Sequence, residues 1–132
     1  MSNIFGKMNE RGFSYYEFTD ADGIKCSLQE SSLATEPAVW LGDDDDRMHL
    51  TVPMVERLLD ALEDWHGMNL GLYYTFKDRN NIKSKVDASD YTAMLIGTET
   101  HQIKLYYEQV MAISDKLIYW LAEVASCDED DD

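Results

Sequence analysis

The stretch WLGDDDDRMHL, residues 40–50, places four consecutive aspartates between two apolar, strand-like segments. We expect one strand near residues 38–41 and another near 47–50, with the aspartates in the loop that joins them. Like charges at adjacent positions repel each other, so the run needs a physical reason. Three reasons are open: the aspartates bind a metal, keep the loop solvated, or imitate another polyanion.

A hairpin precedes this stretch and a helix follows it. Residues 12–19 are rich in aromatic side chains, residues 24–30 alternate between apolar and polar, and turn residues lie between them. Thr51 is a favourable N-cap, and Gly67 is a natural helix end. Between these two, apolar residues recur at helical spacing: Val55, Leu58, Leu59, Leu62 and Trp65. The first half therefore predicts a small antiparallel β-sheet, a hairpin plus one or two strands, packed by one helix.

The second half predicts mainly helix. Residues 70–76 fit either a strand or the start of a helix, and residues 77–85 hold four basic residues around an Asn-Asn turn signal. Asp87 can cap a short helix that ends at Ile96. The strongest periodicity of the chain then predicts a long amphipathic helix over about residues 100–125.

That long helix has two interpretations, which both stay open. It can be a core helix, because its apolar stripe has globular width. It can also be a self-association helix, because a length of about 39 Å exceeds what a small domain needs to cover itself. The length favours a homodimer. The face in question repeats apolar residues at steps of three and four: Ile103, Tyr106, Val110, Ile113, Leu117, Trp120 and Val124.

The chain of 132 residues is long enough for one ordinary domain. We expect a single α+β domain over residues 1–127, β-rich over about 12–67 and largely helical over about 68–127. The remaining residues 128–132 read DEDDD and are expected to form a disordered acidic tail.

The net charge is −15, from 26 acidic against 11 basic residues. Such a balance argues against direct binding to nucleic acid or to an anionic membrane, because both repel a polyanion. The sequence has no apolar run of membrane-spanning length, and its two cysteines lie in unlike settings, so we expect a reduced, cytoplasmic protein.

Neither a catalytic nor a metal motif is found. The contiguous aspartates lack the alternate spacing of a calcium loop, and the three histidines share no spacing that would aim two at one ion. Cys26 alternates into the apolar set, as a small core residue does. We therefore expect no enzyme activity, no cofactor and no metal.

The segment CSLQESSLATEPAVWLG, residues 26–42, together with RMHL at 47–50, resembles small uncharacterised proteins of tailed bacteriophages and prophages. The resemblance covers about residues 13–67. It implies a phage or prophage setting, and hence the cytoplasm of a host cell, but no catalytic residue.

A small acidic phage-type protein can block host defence enzymes that hold DNA in basic channels. B-DNA carries a phosphate about every 3.4 Å per strand, and one helix face repeats about every 5.4 Å. We therefore expect a non-enzymatic inhibitor of a nucleic-acid-handling host defence protein, of the anti-CRISPR or anti-restriction type, that presents a DNA-mimicking acidic surface. The residues expected to bind this partner are Asp43, Asp44, Asp45, Asp46, Glu56, Asp60, Glu63 and Asp64.

Two alternatives remain. One is a module that sequesters a nucleotide or another small molecule, for which residues 77–85 with Tyr73 and Tyr74 are the candidate basic pocket. The other is a structural or assembly component of a phage.

Overall fold

The computed structural model describes residues 5–8, 10, 12–31, 36–69 and 71–130, with residues 125–130 described as backbone alone. In chain order these residues form the strands and helices β1 (Lys7–Met8), β2 (Ser14–Thr19), β3 (Lys25–Glu30), β4 (Ala38–Asp43), β5 (Arg47–Thr51), α1 (Val52–His66), β6 (Leu72–Lys77), β7 (Lys83–Ala88), β8 (Met94–Thr98), β9 (Gln102–Leu105) and α2 (Tyr107–Asp130).

The strands make two antiparallel sheets. One has the order β1-β2-β3-β4-β5 and the other the order β6-β7-β8-β9. The predictions for the hairpin, for the two strands that flank the aspartates and for α1 are confirmed. The predicted fold class is wrong, because the second half is a four-stranded meander followed by one helix and not a largely helical region.

Buried and exposed side chains alternate in the second half, and this pattern explains why the predicted fold class is wrong. In β6, Tyr74 is buried while Tyr73 and Thr75 are exposed, and in β7 Val86 is buried between two less buried neighbours. A period of two places successive side chains on opposite faces of a sheet. The segment 70–76, which fitted strand or helix, is therefore a strand.

The short helix predicted from Asp87 to Ile96 is replaced by the end of β7, a turn and most of β8. The carboxylate of Asp87 accepts a hydrogen bond from the N–H of Ser89 at 3.0 Å, and that of Asp90 accepts one from the N–H of Thr92 at 2.9 Å. A short acidic side chain caps a turn by the same hydrogen bond with which it caps a helix, so the cap signal alone does not distinguish the two.

The long helix begins later than predicted. Residues 102–105 form β9, so Ile103 lies in a strand and Tyr106 precedes α2. The helix continues to Asp130 and includes residues 128–130 of the expected tail, while residues 131 and 132 lie outside the described part.

The chain contains two similar units, a first repeat (residues 14–66) and a second repeat (residues 72–130), each with four strands and a helix. YYEFTDADGIK at 15–25 corresponds to YYTFKDRNNIK at 73–83, and LGDDDDRMHL at 41–50 corresponds to IGTETHQIKL at 96–105. In the helices, four buried residues of α1 correspond to four buried residues of α2: Val55 to Val110, Leu58 to Ile113, Leu62 to Leu117 and Trp65 to Trp120.

The two repeats contact each other reciprocally. Strand β4 contacts β9 and β5 contacts β8, while α1 packs against α2. Reciprocal pairs of this kind are the pattern of a two-fold interface between identical subunits. Here the two halves of one chain form that interface, and the apolar faces of both helices are buried in a shared core.

Candidate functional site

The aspartate run divides into a structural part and an exposed part. Asp43 is buried, and one of its carboxylate oxygens accepts hydrogen bonds from the N–H groups of Asp45 at 2.9 Å and Asp46 at 2.7 Å. These bonds hold the tight turn between β4 and β5. Gly42 precedes the turn with φ +152°, where a Cβ would collide with the carbonyl oxygen of Asp46.

The same run joins the two repeats. The second carboxylate oxygen of Asp43 lies 2.9 Å from Nε2 of His101, and the hydroxyl of Thr98 donates a hydrogen bond to the carboxylate of Asp46 at 2.9 Å. His101 lies in the corresponding turn between β8 and β9, and Thr98 is the last residue of β8. The expectation of a solvated loop therefore fits Asp44 and Asp45, which are exposed, but not Asp43.

The other residues expected to bind a partner lie together on the outer face of α1. All four are exposed, and none forms an ion pair within the described part of the chain: Glu56, Asp60, Glu63 and Asp64. Positions three and four apart share one face of a helix, so these carboxylates form a single stripe, which we call the acidic face.

The corresponding face of α2 has a different chemistry. The positions that match the acidic face are occupied by Met111, Asp115, Ile118 and Tyr119, all exposed. The buried positions of the two helices match while the outer ones do not. Packing in this fold therefore does not require the carboxylates of α1.

The residues expected to mediate self-association are mostly core. Val110, Ile113, Leu117 and Trp120 are buried within the single chain, where α2 packs against α1. Ile103 is buried in β9, Tyr106 is exposed ahead of the helix, and Val124 is partly buried. The apolar stripe thus has its partner in the first repeat of the same chain.

The three histidines lie in separate surroundings. His49 stacks on Trp40 with ring centroids 3.9 Å apart, His66 stacks on Tyr107, and His101 faces Asp43. In the part of the chain that the structure describes, no group of three or more His, Cys, Asp or Glu side chains is arranged to hold a metal ion.

Cys26 is a core residue. Burial, together with the nearby carboxylates of Asp20 and Asp43, raises the pKa of its thiol to about 12. A thiol that stays protonated is a poor nucleophile.

A basic pocket lies on the outer side of the second sheet. Lys77, Lys83 and Lys85 line it together with Tyr73, whereas Tyr74 is buried on the opposite side beneath the guanidinium of Arg57. The sequence places these lysines in one basic segment, but it does not show that a hairpin brings the two ends of that segment together. The signal that could have found this hairpin is the repeated sequence YYxFxDxxxIK.

No helix among the described residues is long and apolar enough to cross a membrane.

No family model, curated protein or solved structure is significantly similar to this chain.

Proposed function

We propose that the protein is a non-enzymatic inhibitor that binds a basic, nucleic-acid-handling protein through the acidic face of α1. The observation that carries the proposal is the difference between the two helices. Their buried residues correspond one to one, yet Glu56, Asp60, Glu63 and Asp64 occupy positions where α2 has largely uncharged side chains.

Repulsion within the acidic face favours binding to a basic partner. Four carboxylates on one helix face repel each other, and like charges four residues apart destabilise a helix. In the described residues none is neutralised by an ion pair. A basic partner surface relieves this repulsion, and the net charge of −15 accelerates encounter with such a surface by electrostatic steering.

The acidic face suits a DNA-binding channel because its charges are displayed on a rigid helix. Asp44 and Asp45 add exposed charge at the turn between β4 and β5. Competition with DNA for one basic surface would inhibit the partner without any catalysed reaction. The phage setting that the sequence resemblance implies supplies a class of target, the host defence enzymes that bind nucleic acid.

The experiment is capture of partners on immobilised protein from a bacterial host lysate, followed by elution with duplex DNA. The test variant neutralises the acidic face with Glu56→Gln, Asp60→Asn, Glu63→Gln and Asp64→Asn. The matched control removes four exposed charges elsewhere with Glu99→Gln, Glu108→Gln, Asp115→Asn and Glu123→Gln. We expect wild type and control to retain the same protein, released by DNA, and the test variant to lose it. Equal retention by both variants contradicts the proposal.

A further inference from the structure

The pocket that contains Lys77, Lys83 and Lys85 has a volume of about 320 Å³. This volume lies at the lower end of the range of about 300–1,000 Å³ found for small-molecule sites. It opens on the outer side of β6 and β7. Its lining combines an aromatic ring, hydroxyl groups and cations: Tyr73, Thr75, Lys77, Lys83, Ser84 and Lys85.

Two of the three lysines face each other across a strand pair, although their like charges repel. Lys77 and Lys83 lie directly opposite each other in the β6–β7 register, and like charges at opposed positions destabilise a strand pair. None of the three lysines forms an ion pair among the described residues. The single carboxylate in the lining is that of Glu99, in a chain that has 26 acidic residues.

The first repeat provides an internal comparison. A pocket of about 270 Å³ lies at the corresponding place, lined by Tyr15 in the position of Tyr73 and by Lys25 in the position of Lys83. Its charges are balanced, because Glu17 and Asp44 accompany Lys25 and Arg47. The fold therefore forms the pocket in both repeats, but the excess of positive charge is confined to the second.

We propose that the pocket of the second repeat binds a nucleotide. Its lysines contact the phosphates and the ring of Tyr73, which is 54% exposed, stacks on the base. A small ligand fits better than a nucleic acid, because a long polyanion that reached the pocket would also meet the rest of a chain with a net charge of −15. This site shares no residue with the acidic face and does not depend on the proposed function.

Calorimetric titration of the full chain with ATP, AMP and tripolyphosphate tests the site. We expect ATP to bind with a Kd below about 1 mM, AMP to bind more weakly because it carries fewer phosphates, and Lys83→Gln to weaken ATP binding at least about tenfold. The matched variant Lys25→Gln in the first repeat should change the Kd by less than about twofold.

The contribution of the base is tested by Tyr73→Leu against Tyr15→Leu. The first should remove the preference for ATP over tripolyphosphate, and the second should leave it unchanged. Lys83→Gln should fold with a melting temperature equal to or above that of the wild type, because it removes a like-charge pair. No ATP binding by the folded wild type, or equal losses from Lys83→Gln and Lys25→Gln, overturns the proposal. Equal affinity for ATP and tripolyphosphate in the wild type overturns the assignment to nucleotides.

Discussion

The carboxylate of Asp78, in the second repeat, accepts a hydrogen bond from the backbone N–H of His49, in the first, at 3.0 Å. Its other oxygen accepts the N–H groups of Asn80 and Ile82, both at 2.9 Å, and so shapes the loop between β6 and β7. Asp20 makes the reciprocal contacts, with its own loop and with the N–H of Lys104 at 3.3 Å. Asp20 and Asp78 are therefore corresponding buried acids, each of which sets a turn and joins the two halves.

We expect Asp78→Ala to destabilise the protein by about 2–4 kcal/mol, because it leaves buried N–H groups without an acceptor. The exposed Asp22→Ala should change the free energy of unfolding by less than about 0.5 kcal/mol. Urea unfolding of both variants measures the difference. Equal stability of the two variants would show that the contact between repeats contributes nothing.

Substitutions within the aspartate run should differ in their effect on the free energy of unfolding. Asp43→Ala should cost about 1–3 kcal/mol, because the N–H groups of Asp45 and Asp46 lose their acceptor. Asp44→Asn combined with Asp45→Asn should stay within about 0.5 kcal/mol per site, because both side chains are exposed. Thermal and urea denaturation check this division. A stable Asp43→Ala variant would mean that the whole run is a solvated loop.

The same substitution at two neighbouring positions of α2 should have opposite effects on folding. Leu117 is 0% exposed and Ile118 is 47% exposed. We expect Leu117→Glu to unfold the chain, because a buried unpaired charge costs several kcal/mol, and Ile118→Glu to remain folded. Circular dichroism with light scattering distinguishes the cases. A folded, monomeric Leu117→Glu protein derived from a dimeric wild type would favour the self-association interpretation instead.

Stability should fall in alkaline solution. Burial raises the pKa of Cys26 from its ordinary 9.0 to about 12, so the neutral thiol is favoured in the folded state. The contribution is fully present below pH 9.0 and is lost as the pH rises toward about 12, by about 1.4 kcal/mol per pH unit. Tyr74, raised from 10.0 to about 12 mainly by burial, adds a second loss above pH 10.0.

Urea unfolding between about pH 8 and pH 10.5 measures this slope. Cys26→Ala should flatten the curve above pH 9.0, and Tyr74→Phe should flatten it only above pH 10.0. Absolute stabilities also change through lost packing, so the slopes are compared. A wild-type curve that is flat to pH 10 would contradict the burial of the Cys26 thiol.

Local patterns predicted the first repeat well, since turn residues, alternation and helical spacing agree there. In the second repeat the cap signal of Asp87 suggested a helix, although the alternation of Lys83–Ala88 favoured a strand. The second half corresponds to the first, but the connection at 31–37 is longer than that at 89–93. The number of residues between corresponding positions is therefore not constant, and a search for repeats at one fixed spacing misses the similarity.

The candidate surfaces were predictable to different extents. The acidic face follows from helical spacing alone, so Glu56, Asp60, Glu63 and Asp64 were found from the sequence. The burial of Asp43 could not be found from the sequence, because it depends on contact with His101 in the other repeat. The apolar stripe of α2 was recognised, but periodicity does not show whether its partner is another chain or another part of the same chain.

The most direct measurement is the affinity of the captured partner for the two charge-matched variants. We expect the variant with a neutral acidic face to bind at least about 30-fold more weakly than wild type, since four exposed charge contacts of about 0.5 kcal/mol each sum to about 2 kcal/mol. Its affinity should also depend less on salt concentration. The control that lacks four charges elsewhere should bind within about twofold of wild type. Equal weakening of both variants would mean that net charge alone drives binding, and the account of a specific acidic face would be wrong.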